Sequence, residues 1–266
     1  MRDNRCCLVG AGKIYMAEYE AYKNKLVPLT FIGNSKDFTI NAETSKISVP
    51  SYTGRVAATD CSKIVIDEIT VNFTTLCHNL LNISRALNAG EPVEEVAGAV
   101  THLDVAYPCG AIPVPHVFDL TQPITVTSAD GLVTYIAGVD YEITENGTIE
   151  ILENTTIPAP TITLGVAQPN ILVSATSVDS KRIEMFTEIG KDYVIYFDGV
   201  NRMNDNESTK GMLYRVTMSP AQYQLIGDGS DPAELTFEGT ALEDKTVSTS
   251  GGLLSQYGSI VANTNF

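Results

Sequence analysis

Ser62-Lys-Ile-Val-Ile-Asp-Glu-Ile-Thr-Val-Asn-Phe-Thr-Thr-Leu-Cys-His-Asn-Leu-Leu-Asn-Ile-Ser-Arg-Ala-Leu-Asn-Ala-Gly90 is the stretch whose reading decides the fold. Ile69, Val71 and Phe73 alternate with Glu68, Thr70, Asn72 and Thr74, the period of two of a strand with one apolar and one wettable face. A helix is expected directly after it, over about 75–89, with Leu76, Leu80, Ile83 and Leu87 on one stripe. Thr74 or Thr75 is the expected N-cap, Gly90 the left-handed C-terminal position, and Pro92 blocks continuation. Burial of each large side chain on that stripe is worth roughly 1.5–3 kcal/mol as an upper estimate. No other segment reads as a long helix, so the body that receives the stripe is mainly β.

At 266 residues, with 44% hydrophobic and 18% charged residues, the chain is long enough for one large β domain or two smaller ones. It has no apolar run of membrane-spanning length, and Met1-Arg-Asp-Asn-Arg5 makes a poor signal peptide, so synthesis in the cytosol is the expectation. Cys6, Cys7, Cys61, Cys77 and Cys109 are odd in number and lack metal-ligand spacing; they read as reduced and mostly buried. A formal net charge of −15 argues against sequence-specific nucleic-acid binding and against an anionic membrane surface.

Residues 1–61 alternate short strand patterns with turns. From Glu43 to Cys61 the text loosens around Pro50-Ser-Tyr-Thr-Gly54 and reads as a long connection, of the kind often ordered by a partner. Between Ala86 and Ser180 there is no Lys or Arg, and seven prolines fall in 106–175. Strand patterns continue there, with Asp130-Gly131 and Asn146-Gly147 as hairpin turns. The expected organisation is a discontinuous domain, 1–105 plus 176–266, with an inserted all-β module at 106–175. Residues 245–266, rich in Ser, Thr and Gly, read as a flexible or partner-ordered tail.

The chemistry-bearing motifs are weak. Gly10-Ala-Gly12-Lys13 lacks the third glycine of a dinucleotide fold and the spacing of a phosphate loop. His78, His102 and His116 stand near no recognisable nucleophile motif. Asn204-Asp-Asn-Glu207 and Gly227-Asp-Gly-Ser-Asp231 do not match a calcium loop and read as turns. No catalytic residue, cofactor or metal is expected. A large acidic β protein with long loops and loose ends looks built to contact other copies.

Several stretches, in order, resemble the major tail (tail tube) proteins of long-tailed bacteriophages. Gly12-Lys-Ile-Tyr-Met-Ala-Glu18 and Pro28-Leu-Thr-Phe-Ile-Gly-Asn34 resemble that family's first strands, and 62–90 its strand and single helix. Ser219-Pro-Ala-Gln-Tyr-Gln-Leu-Ile-Gly-Asp228 and Leu235-Thr-Phe-Glu-Gly239 resemble its closing region. Asp130-Gly-Leu-Val-Thr-Tyr-Ile-Ala-Gly-Val-Asp-Tyr141 through Gly147-Thr-Ile-Glu-Ile151 is similar to a hairpin module of phage structural proteins. The resemblance implies a two-sheet β-sandwich or barrel with one flanking helix. Six copies would join inner sheets edge to edge in a ring, and rings would stack into a hollow tube. It also implies a place in the virion tail, with tape-measure, tail-terminator and tail-tip proteins as partners and double-stranded DNA as transient cargo. Within 43–61, Ser48, Pro50, Tyr52, Gly54 and Arg55 are then the candidates for gripping the next ring.

Under that reading Glu68, Thr70, Asn72 and Thr74 are candidates to face the bore, where an acidic wall keeps DNA sliding. The alternative is a virion or surface β-sandwich adhesin for carbohydrate or a receptor. The absence of Trp and the placing of aromatics in strand patterns weigh against it.

Overall fold

The computed structural model describes residues 10–51, 58–202, 207–221, 223, 233–247 and 255–262. The chain opens with β1 (Gly10–Glu18), α1 (Tyr19–Lys23), β2 (Thr30–Phe31), β3 (Ser35–Ser51), β4 (Ala58–Thr75) and α2 (Leu80–Ala86). Short strands follow: β5 (Val93–Glu95), β6 (Gly98–Asp104), β7 (Ala111–Ile112), β8 (Thr125–Ser128), β9 (Tyr141–Ile143) and β10 (Ile149–Ile151). After them come β11 (Ile162–Thr163), β12 (Val166–Ala167), β13 (Ile171–Ser177) and β14 (Ser180–Arg182). The last group is β15 (Asp192–Asn201), β16 (Glu207–Ser219), β17 (Leu235–Ala241) and β18 (Gly258–Ala262). The chain is mainly β, as its alternation predicts, and among the described residues no sheet closes into a barrel.

Two compact units result, Met1–Pro92 with Ile183–Phe266, and Val93–Arg182. The second is wider than the inserted module expected at 106–175. Its stem is the β6–β13 ladder, running from Gly98 opposite Ser177 to Asp104 opposite Ile171, and ordinary strand composition leaves such a stem unmarked. Inside it Ile112, Phe118, Val126, Tyr141, Ile149, Ile171 and Val173 form one core. Both expected turns are present, with Gly131 and Gly147 at φ 75° and 84°. The buried Asp140 carboxylate accepts from the N–H groups of Ile136 and Thr156 and from the Thr155 and Thr156 hydroxyls, which together hold it below the usual range.

The first unit is built on an antiparallel eight-stranded sheet in the order β2-β1-β15-β16-β17-β4-β3, with β18 also on β16. β18 lies within the stretch read as a tail. Alternation puts Ile14, Met16, Ile195, Val216, Met218, Val71, Phe73, Leu235 and Phe237 on one side, all buried. The sheet curls over them: Phe38 of β3 stacks on Phe197 of β15 at 5.7 Å, while Phe73 and Phe237 stack at 4.8 Å.

Gly12 and Gly199 make room for the Phe197 ring. A Cβ on Gly12 would lie 2.6 Å from the Asp198 carbonyl and 2.7 Å from the Gly199 Cα, both backbone, and 2.7 Å from the ring itself. The Gly-Ala-Gly-Lys text is therefore a strand that an aromatic ring lies against.

The helix after β4 is shorter than its apolar pattern predicts. It begins at Leu80 because the cap is Asn79, whose side chain accepts from Asn82 N–H at 2.8 Å, and Thr74 and Thr75 remain in β4. Leu76 precedes the helix, Leu80 and Ile83 are half-buried, Leu81 is exposed, and Leu87 alone of the expected stripe is buried. Three of the four buried helix residues, Asn82, Ser84 and Arg85, are polar. Asn82 Nδ2 donates to the carbonyls of Ile32 and Cys77, and Ser84 Oγ to those of Ala89 and Gly90. Asn88 takes the left-handed position at φ 45°, ahead of Gly90, and donates to Met218 O at 3.1 Å. Backbone carbonyls buried at the sheet end need donors, and leucines supply none.

Near the end of the first unit Asp244 is buried, 3.0 Å from Lys23 Nζ, and accepts from the Thr246 N–H and hydroxyl. Burial opposes its ionisation, but these hydrogen bonds outweigh burial and lower its pKa to about 2. Gly12→Ala is expected to destabilise the chain by about 1–3 kcal/mol in denaturant titration, because the opposing atoms are ladder backbone. Asp244→Asn should be less stable than wild type at pH 7. The difference should shrink as pH falls from about 4 to about 2, where the carboxylate's contribution is lost in wild type; melting temperatures across that range check it.

Candidate functional site

The outer face of the same sheet is polar over five strands. On β4 the register sets Thr70, Asn72 and Thr74 opposite Thr240, Glu238 and Thr236 of β17. On the other side, Asn41 and Thr39 of β3 stand opposite Thr70 and Asn72, and Glu43 stands opposite Glu68. β17 carries the pattern on, with Thr240 opposite Thr217 of β16 and Thr217 opposite Asp192 of β15. Strand periodicity makes such a face from alternate residues, and β-branched threonine suits it because it packs well while keeping a hydroxyl outward.

Short hydrogen bonds fix the face. The Thr240 hydroxyl donates to Glu68 Oε1 at 2.7 Å, and the Thr74 and Thr236 hydroxyls pair at 3.3 Å. Arg215 Nε donates to Asp192 Oδ2 at 2.6 Å, and Lys36 meets Glu234 at 2.5 Å. Those pairs neutralise Lys36 and Arg215, and Lys210 of β16 stands opposite Asp198 of β15. Glu43, Glu68 and Glu238 are exposed and carry no ion pair among the described residues, so the face is net acidic. Of the four residues singled out in sequence, Glu68, Thr70 and Asn72 reach solvent, while Thr74 is covered at 7% exposure.

Beyond Glu43 and Glu68 the two strands leave the sheet and pair only with each other, as far as Ser51 opposite Ala58. The described part of the stretch read as a loose connection is thus a two-stranded ribbon. It carries Ile47, Val49, Ile64 and Ile66, which are exposed by 59%, 47%, 69% and 54%. Ser48 faces Ser62 across it, and Pro50 stands opposite Thr59 where the register shifts, a place that tolerates proline. Tyr52, Gly54 and Arg55 lie outside the described residues.

Among the described residues both ends of the sheet are open: the outer edge of β3 has no strand partner, and the outer edge of β1 is covered only by β2 at Tyr15 and Met16 and by the Ile32 N–H on the Ile14 carbonyl. Residues 7–261 match the model of a family described as protein of unknown function UCP028589. The chain belongs to that family. No curated protein matches it.

The other candidate groups are occupied locally. His78 Nε2 lies 2.7 Å from Ala233 O, His102 faces Asp104 and His116 faces Glu95. Cys77 is half-buried, but Cys61 and Cys109 are exposed, contrary to the expectation of buried thiols. Cys61 belongs to the ribbon, which lacks a core to bury it. Of the two acidic loops, Asn204–Asn206 and Gly227–Asp231 lie outside the described residues, and among the described ones no cluster of His, Cys, Asp and Glu could hold a metal. No described helix is long and apolar enough to cross a membrane.

Glu43 directly opposite Glu68 is a like-charge pair, which strand pairing penalises. Glu43→Lys is therefore expected to stabilise the fold by about 0.2–1 kcal/mol, read from the midpoint of chemical unfolding.

Proposed function

We propose that this protein is the repeating brick of the tail tube of a long-tailed bacteriophage, assembling into stacked rings of six expected copies. The observation that carries the reading is a curled sheet with two open edges and one acid-rich face. An open edge is a template for another strand. Joining the β3 edge of one copy to the β1 end of the next is a head-to-tail contact, and such contacts form rings when the rotation closes. The ordered resemblance of the sequence to tail tube proteins supports the same reading.

With the outer polar face turned inward, Glu43, Glu68 and Glu238 would line the bore among threonine and asparagine. Double-stranded DNA carries one negative charge per about 1.7 Å, and screening over roughly 8 Å leaves repulsion acting only close to the wall. A threonine and glutamate wall thus offers DNA hydrogen-bonding groups without a cation to hold it. The tube lets the genome pass and does no chemistry on it. Tape-measure, terminator and tip proteins are the partners that the resemblance brings to such a tube, and the virion tail is its place.

Electron microscopy of the concentrated protein should show rings or tubes, and a chain that stays a compact monomer rules this reading out. In assembled particles, Glu68→Lys with Glu238→Lys should retain double-stranded DNA at least tenfold better than wild type at low salt, and lose it as salt rises. Equal retention by wild type and variant would take these residues out of the bore.

A further inference from the structure

Arg85 of α2 is a buried cation without a counter-charge among the described residues. It is 9% exposed, its Nη2 donates to the Thr30 hydroxyl at 2.8 Å, and its Nη1 has no hydrogen-bond partner among those residues. Thr30 gives its own hydrogen to the Met16 carbonyl at 2.8 Å, so towards the guanidinium it can only accept. A neutral acceptor does not compensate a buried charge, and an uncompensated one is costly to a fold. Burial lowers the pKa of Arg85 from the ordinary guanidinium value, against an opposing effect of the buried Tyr193 phenol.

The arginine lines a cleft of about 220 Å³ bounded by α2, the loop before β2 and the start of β15. Val27, Pro28 and Leu81 give it apolar walls, and Glu18 and Glu91, which both reach solvent, also line it. Lys191 lines it too, but is already paired with Glu188 and lies 3.7 Å from Glu18. We propose that the cleft binds one carboxylate carried on a short hydrocarbon stem, with Arg85 as the group that holds it. A guanidinium fork matches a carboxylate in shape and charge. The apolar walls suit the stem, and since a cavity of about 150 Å³ takes up benzene, a four-carbon acid has room. The two glutamates repel a second negative charge, which sets a single carboxylate apart from phosphate. The stem belongs either to a free short-chain acid or to an acidic side chain of a second copy; the chemistry at Arg85 is the same.

Thermal unfolding of the full-length protein in sodium butyrate tests this, against sodium chloride and sodium phosphate at matched ionic strength. Butyrate should raise the wild-type melting temperature with the logarithm of its concentration, and neither control should match it. Arg85→Met removes the charge and keeps a long side chain, so it should melt no lower than wild type and lose the butyrate shift. Leu81→Glu lies one helical turn before Arg85, at the spacing of an ion pair, and should lose the shift because its own carboxylate takes the site. Sedimentation velocity then identifies the source. If the stem belongs to a second copy, Arg85→Met associates at least about tenfold more weakly than wild type, and butyrate dissociates wild type. If the acid is free, wild type and variant associate equally while only the variant loses the shift. A shift that persists in Arg85→Met overturns the proposal, as does a wild type that neither shifts nor differs from Arg85→Met in association. Arg85→Met melting well below wild type, with Leu81→Glu keeping the full shift, would make the arginine a structural donor to Thr30 and overturn it too. A monomeric wild type removes the tube reading but not the butyrate shift, so the two fail separately.

Discussion

Phe73 lying flat on Phe237 is the contact on which the rest of the first unit depends. It fixes β4 against β17 with Val71, Phe73, Leu235 and Phe237 beneath the sheet, all at 1% exposure or less. Because the side-chain period of a strand is two, that single choice sends Thr70, Asn72, Thr236 and Glu238 outward. A one-residue slip would bury the glutamates and expose the phenylalanines, so the apolar core sets the register of the polar face. The acidic surface is held in place by what is packed below it.

The same core explains why the sheet curls. Phe38 at one end and Phe197 further along the strand order share one stack, and Phe197 lies against Gly12 and Gly199. A side chain at either glycine would push the ring away and widen the gap between the two ends. Curling this far without closing leaves an acid-rich outer face, an apolar groove and two unpaired edges on one unit. None of these features lowers the free energy of an isolated chain. Exposed edges and apolar grooves are liabilities for a monomer, and a directly opposed glutamate pair is mildly destabilising. Their presence together is understandable if other copies complete the surface.

What the sequence reveals is whatever follows a local period. The alternation over 68–74 predicts both the strand and its two faces, and Asp130-Gly131 and Asn146-Gly147 predict their turns because positive φ is a property of a single residue. Where partners are distant in sequence, prediction fails. Nothing near Asn82 announces that Ile32 O, 50 residues earlier, needs a donor. The leucine stripe therefore suggests an apolar helix face, whereas the buried face is made of Asn82, Ser84, Arg85 and Ala86. The ribbon hid for a different reason. A two-stranded ladder with both faces in solvent has no core to fill, so the text around Pro50-Ser-Tyr-Thr-Gly54 has the composition of a loop while the described backbone on either side, to Ser51 and from Ala58, pairs as strand. The stem of the second unit escaped because β6 precedes the proline-rich stretch while β13 straddles its expected end at 175, and neither strand differs in composition from an ordinary one.

The acidity of the chain poses a problem that its own geometry addresses. Copies of a protein carrying a net charge of −15 repel each other, and the proposed tube would pack many such copies side by side. In that reading the carboxylates of one sheet face would direct the repulsion toward a bore, where its effect would be to keep a polyanion from adhering. The contacts between copies would then fall to backbone edges, which are uncharged. Separating the two roles in space would let one chain be repulsive to its cargo and cohesive with itself.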